Sequence, residues 1–257
     1  MRLYSRNEGR GEPLLVLHGL LGSSDNWRAM SKRLAQHFAV YALDLRNHGR
    51  SPHAAEMDYA VMAGDLREFI AANGLAPISL LGHSMGGKVA MQFAVTHPQV
   101  VEKLIVVDIA PRAYPPSQRA LLAALRALDL NGITSFADAD AALKVAIPDT
   151  ALRQFLLKNL SRDEAGCFRW RIGLGAIAEN YDALIQAVSI EAPFDKPACF
   201  IRGGRSDYIA EEDIALIRRA FPRARVATIE RAGHWVQSEA PEEFYRAAAG
   251  FLSSSSD

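Results

Sequence analysis

Short apolar runs, each stopping on a glycine, histidine or aspartate and most followed by a helical pattern, constrain this chain more than any other feature. LLVL at 14–17 stops at His18-Gly19, AVYAL at 39–43 at Asp44, ISLL at 78–81 at Gly82, and LIVV at 104–107 at Asp108. Continuous runs this short suit strands buried on both faces, the condition of a parallel sheet. Between them the apolar spacing predicts helices over 26–36, 59–73 and 85–96. Strand, helix, strand at this spacing makes right-handed βαβ units and a doubly wound sheet. The fold class is α/β.

The alternation breaks after the fourth run. From Tyr114 to Val188 the pattern is helical throughout, with candidate helices at 117–128, 135–146, 150–160 and 168–188 and no convincing strand. Strand signals resume with ACFI at 198–201 and VATI at 226–229, followed by helices at 211–220 and 241–252. This divides the chain into a core, 1–113 and 189–257, and an all-helical cap, 114–188, inserted over the strand ends. The terminal SSSSD at 253–257 is a low-complexity tail, expected to fray.

Composition removes several function classes. The 257 residues carry 29 Lys+Arg against 29 Asp+Glu, so the basic excess of a nucleic-acid binder is missing. A hydrophobic fraction of 49% is ample for a large core. No stretch approaches the roughly 18 apolar residues of a membrane span, and MRLYSRNEGRGEP has no signal-peptide apolar region. The expected compartment is the cytoplasm. Cys167 and Cys199 are too few and too isolated for a disulfide framework or a metal site, and read as reduced thiols.

Gly82-His83-Ser84-Met85-Gly86 matches G-x-S-x-G, with the strand before it and the helix after it that this motif requires. A serine on so tight a turn is held in strained backbone geometry with its hydroxyl aimed off the sheet. The positions two before and two after must be small to avoid neighbouring backbone. The same run extended to Lys88 also fits G-x-x-x-x-G-K, the front of a phosphate-binding loop. Val89 stands where magnesium coordination needs Ser or Thr, and the turn comes after two other strand units, so the nucleotide reading fails.

Serine needs a base, and His234 in Arg231-Ala232-Gly233-His234-Trp235 follows the last strand, on the same sheet edge as Ser84. His48 reads as pinning its loop, and His83 as pointing to the opposite side of the turn. For the acid, Asp207 in GGRSD follows a strand and gives the chain order Ser, Asp, His. Asp108, also at a strand end, is the alternative or supporting acid. Two N–H donors are needed for the oxyanion, and the sequence points to the amides of Met85 and Leu20. Phe168, Trp170 and Tyr181 are candidate substrate-binding residues in the cap.

HGLLGSSDNW (18–27), DLRNHGRS (44–51), GHSMGGK (82–88), GGRSDYI (203–209) and AGHWV (232–236) occur in that order. With them the chain resembles the α/β-hydrolase superfamily along essentially its whole length, and within it the YbfF-type bacterial esterases. The resemblance implies about eight strands, a helical cap after the sixth, and hydrolysis of short-to-medium acyl esters or thioesters with no cofactor. It gives Ser84, Asp207 and His234 the triad roles, and Leu20 and Met85 the oxyanion roles. Members of this subgroup lack a carboxylate at the Asp207 position, so the choice between Asp207 and Asp108 stays open. Rival readings are another reaction on the same triad (a cofactor-free perhydrolase, a C–C hydrolase) and a small-molecule binder without turnover. Oligomeric state is not legible.

Overall fold

The computed structural model describes residues 1–254; the tail expectation for 255–257 lies outside the described residues. Seven strands form one sheet: β1 (Ser5–Glu8), β2 (Glu12–Leu17), β3 (Phe38–Leu43), β4 (Ile78–His83), β5 (Val101–Val107), β8 (Ala198–Gly203) and β9 (Ala224–Ile229). Their order is β1-β3-β2-β4-β5-β8-β9, with β1 antiparallel to β3 and every other pair parallel.

Both faces of the sheet are covered, which is why its strands read as unbroken apolar runs. Leu15, Leu17, Leu80, Leu104 and Val106 point into a core shared with α2 (Tyr59–Asn73) and α3 (Met85–Thr96). The alternating partners Leu14, Val16, Leu81, Ile105 and Val107 point the other way. There they meet α1 (Arg28–Leu34) and the C-terminal helix (Pro241–Ser253) through Met30, Leu34, Phe244 and Ala248. Truncating any one of these buried leucines, Ile105 or Met30 to alanine costs about 2–5 kcal/mol, so the sheet is a stiff mount for whatever its edge carries. Helix α2 begins on Asp58, whose carboxylate accepts the Val61 N–H at 2.7 Å, and ends on Gly74 in the left-handed region (φ 63°).

Among the described residues the sheet has seven strands, not about eight, and the insertion follows its fifth strand in chain order, not the sixth. The seventh strand, β1, was invisible in the pattern because Ser-Arg-Asn-Glu is a polar, half-exposed edge strand. Between β5 and β8 lie α4 (Arg119–Ala127), α5 (Phe136–Leu143), α6 (Thr150–Leu157), α7 (Leu174–Glu179) and α8 (Tyr181–Leu184). The segment is not wholly helical. Leu160–Arg162 (β6) and Phe168–Trp170 (β7) pair as an antiparallel hairpin where helix was expected. Its turn uses Gly166 at φ 81°, and the Asp163 carboxylate accepts the Ala165 and Cys167 amides. These are turn devices that stop a helix.

Candidate active site

Three strand ends and one loop converge on Ser84. The residue itself has φ 53° and ψ −120°, outside the regions an L-residue prefers, and it sits between β4 and α3. Its neighbours show why. A Cβ at position 82 would lie 2.2 Å from the Gly86 carbonyl oxygen, and one at position 86 would lie 2.5 Å from that of His18. Only glycine lets the strand, the helix and the 18–22 loop approach this closely. The turn is tied down by the Ser84 N–H, which donates to the Val107 carbonyl at 3.0 Å.

The Ser84 hydroxyl reaches His234 Nε2 at 3.1 Å, and His234 Nδ1–H donates to Asp108 Oδ2 at 2.8 Å. Asp108, directly after β5, is fully buried and has φ 51°. Its other oxygen accepts the Gly203 N–H at 2.9 Å, and Ser206 Oγ donates to Oδ2 at 2.5 Å. Three donors thus surround the carboxylate, an arrangement that fixes both its position and the imidazole tautomer.

Asp207 is not brought to His234, which corrects the first choice of acid. After β8 the chain turns with the Ser206 N–H donating to the Gly203 carbonyl at 3.1 Å, placing the Ser206 hydroxyl on Asp108 and leaving Asp207 exposed. The Asp207 backbone carbonyl faces Arg112. The next residue matters more: the Tyr208 ring stacks on His234 with centroids 3.9 Å apart. Ser206 and Tyr208 were missed although both lie inside GGRSDYI; a turn motif does not say which of its residues faces inward.

His83 is also placed differently from expectation. Its Nε2–H donates to the His234 carbonyl at 2.9 Å and its ring lies 4.7 Å from the His234 ring. Burial, with the neighbouring His234 second, lowers His83 to about 3, so it is a neutral brace. Two further neutral histidines hold the loop beside the nucleophile. His18 Nε2 accepts the Leu45 N–H at 3.0 Å, and His48 Nε2 accepts the Leu21 N–H at 3.1 Å. Burial lowers both, His48 to about 3. Gly19 lies against Ser84: a Cβ there would be 3.3 Å from the serine Cβ.

Two cavities open on Ser84 and share Leu20, Ser84 and Gln118. One, about 360 Å³, is bordered by His234, Trp235, Leu121, Leu152 and Phe155. The other, about 510 Å³, is bordered by Met85, Tyr59, Tyr114, Tyr181 and Tyr208. Of the three cap residues singled out from sequence, Tyr181 reaches a cavity wall. Phe168 and Trp170 border neither: Phe168 packs edge-on against Phe136 within the hairpin region, and Trp170 packs beside the buried core of the segment. As strand residues they are turned by β6–β7 pairing, not by helical spacing.

Among the described residues, no group of three or more His, Cys, Asp or Glu side chains is placed to hold a metal, and no helix is long and apolar enough to cross a membrane. Cys167 and Cys199 are unbridged, and burial pushes the Cys199 thiol up to about 12, far from the reactive range.

A strained serine at a strand–helix turn, hydrogen-bonded to a strand-end histidine, defines a class that comparison with known proteins identifies. The sequence profile of the alpha/beta hydrolase fold matches residues 12–241. The chain belongs to that family, and within it is a carboxylic ester hydrolase. It is 38% identical over 247 residues to the sn-1-specific diacylglycerol lipase ABHD11 of Mus musculus, covering 93% of this chain and 80% of that one. It is 32% identical over 249 residues to esterase YbfF of Escherichia coli, covering 96% of each. A solved marine microorganism esterase superposes with a TM-score of 0.95 at 43% identity, covering 97% of this chain and 99% of that one.

Proposed function

We propose that this chain hydrolyses short-to-medium acyl esters or thioesters through an acyl-enzyme on Ser84. The observation that carries the reading is the continuous relay at one cavity floor, Ser84 Oγ to His234 Nε2 at 3.1 Å and His234 Nδ1 to Asp108 at 2.8 Å. Ser84 Oγ attacks the carbonyl carbon while His234 Nε2 takes its proton; the carbonyl oxygen becomes an oxyanion received by the Leu20 and Met85 amides. Met85 opens α3, where amide hydrogens have no helical acceptor and the helix dipole favours negative charge. The carbon–oxygen or carbon–sulfur bond then breaks, and the histidine proton goes to the leaving alcohol or thiol. Water, deprotonated by the same histidine, releases the acid and restores Ser84.

The two cavities divide the substrate. A leaving group must be protonated by His234, so the alcohol or thiol side belongs in the cavity bordered by His234 and Trp235. The acyl chain belongs in the tyrosine-lined cavity beside Met85. Residues 114–188 act as the cap, supplying Gln118, Leu121, Phe155 and Tyr181 to the two walls and excluding water. A panel of p-nitrophenyl esters and acyl thioesters of rising chain length, with fluorophosphonate labelling, tests the proposal. Turnover with labelling at Ser84 is expected; inactivity across the panel without labelling would make the protein a binder.

A further inference from the structure

Lys88, the residue that made the elbow look like a phosphate loop, is not used by the relay. It lies one helical turn beyond Ser84 on α3 and is 1% exposed. Its ammonium is satisfied by backbone. It donates to the Arg112 carbonyl at 2.7 Å and to the Gln186 carbonyl, with the Tyr114 and Tyr59 ring centroids 4.9 and 5.5 Å away. Arg112 lies on the crossing where the chain leaves the core for the 114–188 segment, and Gln186 on the crossing where it returns.

Everything around this point binds the two crossings together. The Val188 N–H donates to the Pro111 carbonyl and the Tyr114 N–H to the Ile185 carbonyl, each at 2.8 Å. Gln92, one turn further along α3, exchanges two hydrogen bonds with the Ser189 backbone at 3.1 and 3.2 Å. The Tyr59 hydroxyl donates to the Leu184 carbonyl. At its other end Lys88 meets the nucleophile turn, its backbone N–H donating to the Ser84 carbonyl at 3.1 Å. A methionine would fill the same volume without the cost of burying a charge, a cost visible in the lowering of Lys88 to about 7 by burial and by Arg112. What the ammonium adds is a set of donors that reaches two separate backbone segments at once.

We infer that Lys88 is a positioning residue: its ammonium clasps both crossings of the cap to the helix that carries Ser84, and so sets the height of the acyl cavity. The inference rests on the cap reading above. Lys88 and Arg112 border that cavity at its base; Tyr114 and Gln118 follow directly on the outgoing crossing and Tyr181 precedes the returning one, so the clasp also controls walls beyond the part Lys88 itself borders.

Hydrogen exchange followed by mass spectrometry on wild type, Lys88→Met and the milder Lys88→Gln tests it. In either folded variant, amides at 112–118 and 184–189 exchange on the order of tenfold faster or more, the factor carried by losing one charge-assisted hydrogen bond, while β4 and β5 keep their protection. Kinetically, KM rises for long-chain p-nitrophenyl esters while kcat on the acetate ester stays within about twofold, since only interactions with the acyl chain have moved. Crossings as protected as in wild type, or an equal kcat loss on short and long esters, overturns the clasp. The exchange measurement requires no turnover, so it fails or succeeds independently of the esterase reading, which Ser84 labelling decides.

Discussion

The turn that carries Ser84 and the segment that covers it meet in the same cavities but tolerate change very differently. At the turn, each glycine is forced: the space for a Cβ at 82, 86 or 87 is already taken within 2.2 to 2.6 Å. The buried Asp108 carboxylate there is surrounded by three donors from the ends of β8 and β9. In the covering segment, Gly175 has no atom within 4 Å of an added Cβ, and Val145 (92% exposed) and Phe136 (51%) stand in solvent. On the proposed function, the chemistry is mounted on over-determined backbone, and substrate selection on a region with slack. A fold arranged this way can change what it accepts without disturbing how it reacts.

The sharpest way to break that contrast is at the nucleophile. Ser84→Ala leaves the turn intact and should cost about 10⁶ in kcat, the scale of removing a serine nucleophile from a comparable triad, with Tm little changed. Next comes the acid. Asp108→Asn should cost about 10⁴ by presenting His234 with the wrong tautomer, whereas Asp207→Asn, exposed and without contact to the imidazole, should stay within about fivefold. The reverse ranking, assayed on one ester near neutral pH, would return the role to Asp207. Gly86→Ala should fail on stability instead of chemistry, since the loop at His18 must move; a thermal melt matching wild type would show that the turn has slack after all.

Much of this is legible in the amino-acid sequence itself. The runs at 14–17, 39–43, 78–81 and 104–107 announced the sheet because burial on both faces leaves no polar positions in them. Ser84 and His234 were legible because glycine spacing and strand-end placement are written in the chain. Asp108 against Asp207 was not: both end neighbouring parallel strands, β5 and β8, and the choice turns on a left-handed backbone at Asp108 and on Ser206 facing inward. β1 was hidden by its polar edge, and the β6–β7 hairpin by its brevity, three residues in each strand. Tyr208 was hidden because stacking on an imidazole leaves no periodic mark.

Smaller effects sharpen the other half of the comparison. Tyr181→Leu should shift acyl-chain preference several-fold, because its ring borders the acyl cavity and its hydroxyl accepts the Gln118 N–H at 2.9 Å. Trp170→Ala, bordering neither cavity, should leave the profile unchanged; a changed profile would restore it to the substrate wall. The gentlest test is acid stability. The unfolded chain protonates its histidines near 6.5, while burial holds His48 and His83 at about 3 and lowers His18. Below about pH 6.5 the unfolded state thus binds protons the folded state refuses. Stability is full above that pH and falls toward pH 3 by up to about 1.4 kcal/mol per pH unit for each such histidine. Melts from pH 7.5 to 4.5 should show this slope, and His48→Gln should flatten it.

The central claim is that turnover passes through a covalent bond to Ser84. Quenching the protein in acid during steady-state hydrolysis of a slow p-nitrophenyl ester, then mapping the digest by mass, tests it directly. An added acyl mass is expected on the peptide that contains Ser84, absent in Ser84→Ala. Sustained hydrolysis with that peptide unmodified, or with the acyl mass on another residue, would contradict it.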